Sequence, residues 1–127
     1  EMMAAHLTRP RAGCALHGAL YAATAIDGVT PLVHATPGCG VQAGLWHGGG
    51  ACPPAGGWPT SNLSEKHVVF GGASRLREQI KNTRSVVAGE LTVVLTGCPA
   101  EMIGDDVEAM AQEARDAGDD VIDLATA

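Results

Sequence analysis

The sequence predicts an α/β fold: an open parallel sheet flanked by helices, Rossmann-like in its layering. Three observations carry this. Short apolar runs at 29–35 ("VTPLVHA") and 91–97 ("LTVVLTG") have strand length, and "DDVIDLATA" opens a third. Amphipathic helical patterns at 73–86 and 104–118 separate these runs. Each gap is long enough for the crossover that parallel strands require.

The elements follow in order. Residues 1–13 read as an arm with a turn at "RPRAG". "ALHGALYAATAI", 15–26, reads as a small-residue helix with Leu16, Ala19, Leu20, Ala23 and Ile26 on one face. "DGVTP" breaks it, and the first strand follows. Residues 36–60, "TPGCGVQAGLWHGGGACPPAGGWPT", read as a long Gly/Pro-rich loop with room for one helical turn near "VQAGLW". Trp46 and Trp58 sit on that loop, where packing at an interface is the plain reading. A loop of this length in a compact domain is usually functional or disordered. In "SNLSEKHVVFGG", Ser61 or Ser64 suits a helix cap. Leu76 and Ile80 mark the inner face of helix 73–86. Helix 104–118 carries Asp105 and Asp106 in its first turn, where negative charge suits the dipole. Met102, Val107, Met110, Ala111 and Ala114 trace its apolar side, and Gly118 ends it.

Composition narrows the function. The 127 residues are 46% hydrophobic and 17% charged, which is globular. A net charge of −6 argues against a nucleic-acid partner. No run approaches the ~18 apolar residues of a membrane span. "EMMAAHLTRPRAG" lacks a basic stretch followed by an apolar one, so no signal peptide is expected and the location is expected to be cytoplasmic. Glu1 and Ala127 read as cut ends, so a piece of a longer chain is expected.

Four cysteines stand at 14, 39, 52 and 98, with no C-x-x-C pair. Without a secretory signal a disulfide framework is not expected. In a parallel sheet, ligands gather beyond the carboxyl ends of the strands. Cys39 and Cys98 both follow strands, so both sulfurs belong on one rim. Cys98 also lies just before a helix start, where exposed backbone N–H groups favour a thiolate. Cys14 precedes the helix that delivers the chain into the first strand, and can return to the same rim. Gly38, Gly40 and Gly97 permit close backbone approach to something bulky. Three thiolates of this kind suit an iron–sulfur cluster completed elsewhere, or a zinc ion with one further ligand. Histidines 6, 17, 34, 47 and 67 supply competing zinc ligands, with Cys14 and His17 as a C-x-x-H pair. Glu101 lies close enough to Cys98 to stand behind it. No phosphate-loop motif is present, and "FGGASRL" reads as a turn before a helix.

At this point the motifs are recognisable. "GCALHGALYAATAIDGVTPLVHATPGCG", "SEKHVVFGG" and "LTGCPAEMIGDDVEAM" together resemble the N-terminal part of nitrogenase component 1-type subunits. That family includes molybdenum–iron protein subunits, alternative nitrogenases, cofactor-assembly scaffolds, light-independent protochlorophyllide and chlorophyllide reductases, and methylthio-alkane reductase. The resemblance spans roughly residues 10–125. It implies an oxidoreductase subunit in which Cys14, Cys39 and Cys98 hold an iron–sulfur cluster at an interface with a homologous second subunit. That cluster is an eight-iron P-cluster in nitrogenases and a four-iron cluster in scaffolds and tetrapyrrole reductases. It further implies a homodimeric, ATP-hydrolysing iron protein as electron donor. Any further iron–sulfur-based cofactor belongs to a later part of the chain. On this reading 14–127 is an incomplete cluster-binding domain, the first of several.

The resemblance leaves alternatives. An assembly scaffold needs the same interface cluster as a reductase. "SEKHVVFGG" looks more like the catalytic or scaffold subunit, whereas "CPAEMIGDD" is shared with the second subunit. "TGCPAEMIGDDVEAM" resembles the nitrogenase-like group more than the tetrapyrrole reductases. Cys52 matches no ligand of the family. A plain α/β domain with idle cysteines is the remaining class.

Overall fold

The computed structural model describes residues 14–47 and 58–126. The arm at 1–13, including His6, lies outside them, as do Cys52 and the side chains of Trp46 and His47. Three parallel strands, β1 (Val29–His34), β2 (Leu91–Thr96) and β3 (Val121–Leu124), lie in the order β1-β2-β3. Helices α1 (Ala15–Thr24), α2 (Pro37–His47), α3 (Glu65–Phe70), α4 (Ala73–Val86), α5 (Cys98–Ile103) and α6 (Val107–Asp116) connect and cover them. This is the open parallel α/β architecture expected from the sequence.

Side chains alternate across a strand, so the sheet builds two cores. Val33, Val93 and Leu95 face one side, where Leu16 and Leu20 of α1, Ala43 of α2 and Trp58 cover them. Leu32, Val94 and Val121 face the other, against Leu76 and Ile80 of α4 and Val107 and Ala111 of α6. The apolar stripes of α1 and α4 were legible as such, except Ile26, which is 59% exposed beyond the end of α1. Trp58 is buried in the protein's own core rather than presented to an interface.

The segment 36–60 departs most from expectation, because 37–47 is a helix of three turns rather than a loop. Glycine disfavours helix, and Gly38, Gly40 and Gly44 masked the pattern. Packing overrides propensity here. Pro37 occupies the first helical position, where its fixed φ suits a helix start. Ala43 is 1% exposed in the core, and Cys39 packs against the same cluster. A Cβ on Gly40 would lie 2.9 Å from the Thr60 methyl, so a larger residue would push away the neighbouring segment. That segment, 59–63, runs alongside β1. Val33 N–H donates to Pro59 O, Ser61 N–H to Val33 O and Leu63 N–H to Ala35 O, each at 2.9 Å.

A second departure lies at 98–106. The expected helix 104–118 begins only at Val107, and a separate short helix, α5, precedes it. Gly104, at φ +70, closes α5 in the left-handed conformation. Met102 is therefore 86% exposed on α5 and takes no part in the inner face of α6. Six residues are too few to display a helical period. Of the two capping serines considered, Ser64 caps α3, its backbone N–H donating to His67 Nδ1 at 3.1 Å.

Candidate functional site

β1 and β2 pair in register to their ends, with Val33 opposite Leu95 and His34 opposite Thr96. Cys39 then follows His34 by five residues, and Cys98 follows Thr96 by two. Both leave the same edge of the sheet, as the parallel topology requires. α1 runs into β1 through the Asp27–Gly28 turn, where Gly28 adopts φ +80. α1 therefore runs back along the sheet from that turn, and Leu16, two residues after Cys14, belongs to the same core cluster as Val33 and Ala35.

Each of the three cysteines stands at a helix start. Cys14 is the N-cap of α1, Cys39 is the third residue of α2, and Cys98 is the first residue of α5 with Gly97 as its N-cap. All three are free thiols, Cys14 and Cys98 exposed and Cys39 half-buried. Unpaired backbone N–H groups at helix starts point outward and favour negative charge nearby. Gly97 brings two of the segments together. A Cβ there would lie 2.6 Å from Ala35 Cβ and 3.7 Å from Cys39 Sγ, so the Cys39 sulfur rests against the residue preceding Cys98. Gly38 has open space where its side chain would be. Among the described residues, no group of three His, Cys, Asp or Glu side chains could hold a single metal ion.

Behind the rim lies a buried polar chain that sequence reasoning did not assemble. His34 is fully buried. Its Nε2 donates to Asp105 Oδ2 at 3.0 Å, and its Nδ1 accepts from the Ser61 hydroxyl at 2.8 Å. Asp105 Oδ1 in turn accepts the Gly72 N–H at 2.8 Å, at the turn between α3 and α4. Both ring nitrogens of His34 are therefore occupied within the fold, although the sequence offered it as a zinc ligand. Asp105 is turned inward, while Asp106 alone caps α6 through a 3.0 Å bond from Ala109 N–H. The signal available was "GDD": two acids at a helix start, of which one caps and one is spare. Glu101 accepts a short hydrogen bond from the Thr96 hydroxyl beside Cys98.

Burial pushes the His34 imidazole below its ordinary value of 6.5, outweighing the pull of Asp105, and His67 adds to the lowering. The folded chain therefore resists a proton that the unfolded chain accepts. The contribution of His34 to stability is complete above about pH 6.5 and is lost as pH falls below it, by at most ~1.4 kcal/mol per pH unit. The decline levels off below the folded-state value. Urea unfolding between pH 8 and 5, in the wild type and in His34→Gln, checks this. The acid slope should shrink in the variant, and equal slopes would contradict it.

On its outer side the rim is apolar. An open cleft of ≈720 Å³ is lined by Thr36, Pro37, Leu63, Val68 and Val69, among others. Phe70 is 82% exposed, and α3, which carries it, packs against α5.

Residues 14–127 match the family model described as nitrogenase component 1 type oxidoreductase. The chain is similar to the nitrogenase molybdenum–iron protein beta chain of Crocosphaera subtropica, 32% identical over 109 residues, covering 86% of this chain and 21% of that one. It is also similar to the beta chain of Clostridium pasteurianum, at 32% identity over 86% of this chain and 24% of that one. A solved structure, nitrogenase Cp1 at pH 6.5, superposes with a TM-score of 0.77 at 30% identity, over 89% of this chain and 26% of that chain. The chain thus spans about a fifth to a quarter of the length of the relatives it matches. With a family match over 14–127 and relatives about a third identical across most of its length, the chain belongs to the nitrogenase component 1-type oxidoreductases.

Proposed function

We propose that this chain is the cluster-holding part of a nitrogenase-like reductase subunit. Cys14, Cys39 and Cys98 would hold an iron–sulfur cluster shared with a homologous second subunit. Electrons would arrive from a homodimeric, ATP-hydrolysing iron protein and leave for a reductive active site elsewhere in the complex. What supports this reading is that three free thiols stand at three helix starts and that the Cys39 sulfur lies against Gly97, the residue before Cys98.

The donor set fits the group. Thiolates are the soft ligands that iron–sulfur clusters take. Thiols spread over three segments suit a body containing several metal atoms better than one ion, which supports a cluster over zinc. When bound, the cluster accepts and releases single electrons. The chain's own contribution is to present the thiolates, turn backbone N–H groups toward their charge and exclude water on the inner side through Ala35, Leu16 and Ala43. Three ligands on an open rim leave the remainder to a partner. The exposed apolar side chains of Val69, Phe70 and Met102 supply a surface that a partner would cover.

Adding an ATP-hydrolysing iron protein to the full-length complex, purified without oxygen, tests the relay. Electron paramagnetic resonance should show reduction of the cluster that depends on ATP. Cluster reduction indifferent to ATP and to the iron protein would contradict it. Release of a cofactor precursor without net reduction would instead identify an assembly scaffold, and turnover of a tetrapyrrole a protochlorophyllide or chlorophyllide reductase.

A further inference from the structure

His34 stands one step from each of two cysteine-bearing segments. Through Nδ1 it engages Ser61, and the adjoining Thr60 sets its methyl against Gly40, next to Cys39. Through Nε2 it engages Asp105, whose backbone N–H donates to Ala100 O within α5, the helix that Cys98 begins. Its own carbonyl accepts the Gly97 N–H at 3.0 Å, directly before Cys98. One residue thus ties together the Cys39 side, the Cys98 side and, through Asp105 and Gly72, the start of α4. The β1–β2 ladder and the bond from Gly97 N–H to His34 O fix the strand ends and leave freedom to α5 and the turn that follows it, which lie beyond the ladder. Directional bonds inside a buried site remove that freedom.

We propose that His34 is a positioning residue, and that the Ser61–His34–Asp105 chain fixes the spacing of the Cys39 and Cys98 sulfurs for the cluster they hold. This rests on the cluster reading given above. A metal site needs its ligands held within about 0.5 Å, which takes supporting packing and hydrogen bonds behind them. Removing such supporting partners typically weakens metal binding about 10- to 100-fold.

The test uses the full-length protein with its co-purifying subunit, handled without oxygen. Four proteins are compared: wild type, Ser61→Ala, His34→Gln and Ile80→Val. His34→Gln keeps a donor toward Asp105 and loses the acceptor for Ser61. Ile80→Val loosens the core on the α4 face and touches no part of the chain of bonds. The readouts are the rate of iron release to excess ferrous chelator and the cluster's paramagnetic resonance spectrum. Ser61→Ala should release iron about 10- to 100-fold faster with altered g-values. His34→Gln, which loses the same Ser61 bond and alters the Asp105 contact, should change both readouts at least as much, and Ile80→Val should keep the wild-type spectrum and rate. Wild-type rates and spectra in Ser61→Ala, or equal changes in Ile80→Val, would overturn the positioning role. Should His34→Gln fail to fold, Ser61→Ala, which loses only a hydroxyl, decides. Absence of iron from the wild type would instead remove the cluster reading itself.

Discussion

Cys98→Ala in the full-length protein should yield a folded subunit that has lost most of its cluster iron and its ATP-dependent electron uptake. Cys98 is exposed, so its removal opens no cavity and costs the fold little. Its backbone position is held independently, by Gly97 N–H to His34 O and Glu101 N–H to Gly97 O. The substitution therefore separates ligation from folding. Iron content should fall several-fold while the thermal unfolding midpoint stays within a few degrees. Cys39→Ala should lose iron equally and also lower the midpoint, because Cys39 packs against the core. Cys14→Ala should resemble Cys98→Ala, and Cys52→Ala should keep its iron. Wild-type iron and sulfide in Cys98→Ala would exclude this cysteine as a ligand.

Gly97→Val should damage the site without removing any ligand. The glycine's φ of −95 is open to any residue, so the backbone is not what demands glycine. Space is. A Cβ would sit 2.6 Å from Ala35 Cβ, inside van der Waals contact, and 3.7 Å from Cys39 Sγ. Ala35 has no side chain to swing aside, so the ends of β1 and β2 must part. Overpacking of this kind costs ~1–3 kcal/mol, and valine's two methyls place it toward the upper end. The same displacement moves Cys39 relative to Cys98. Iron loss should therefore exceed what the stability loss explains, and Gly97→Ala should lie between valine and wild type. Urea unfolding paired with iron analysis checks both. Unchanged iron in Gly97→Val would mean that the Cys39 and Cys98 segments need not stay close.

Much of the architecture was legible because it rests on local periodicity. Leu76 and Ile80 on α4, and the apolar runs of β1 and β2, announce their elements. The parallel topology then implies that Cys39 and Cys98 leave the same edge of the sheet. What escaped were features decided by tertiary packing. α2 was hidden by its glycines, one of which exists to admit the Thr60 methyl. α5 was too short to show a period, so Met102 was assigned to the wrong helix. The His34–Ser61–Asp105 chain joins residues 27 and 71 positions apart, and no local pattern reports such a meeting. Glycine read in sequence suggested room for a ligand at three positions. In the structure Gly40 makes room for Thr60 and Gly97 for Ala35, while Gly38 alone is open.

The most direct measurement is iron, zinc and acid-labile sulfide per chain, on the full-length protein purified without oxygen together with whatever co-purifies. The account predicts iron matched by sulfide, lost in Cys98→Ala, with a stoichiometry that distinguishes an eight-iron from a four-iron cluster. Zinc without sulfide, or a protein free of metal, would contradict it and leave the three thiols without an electron-transfer role.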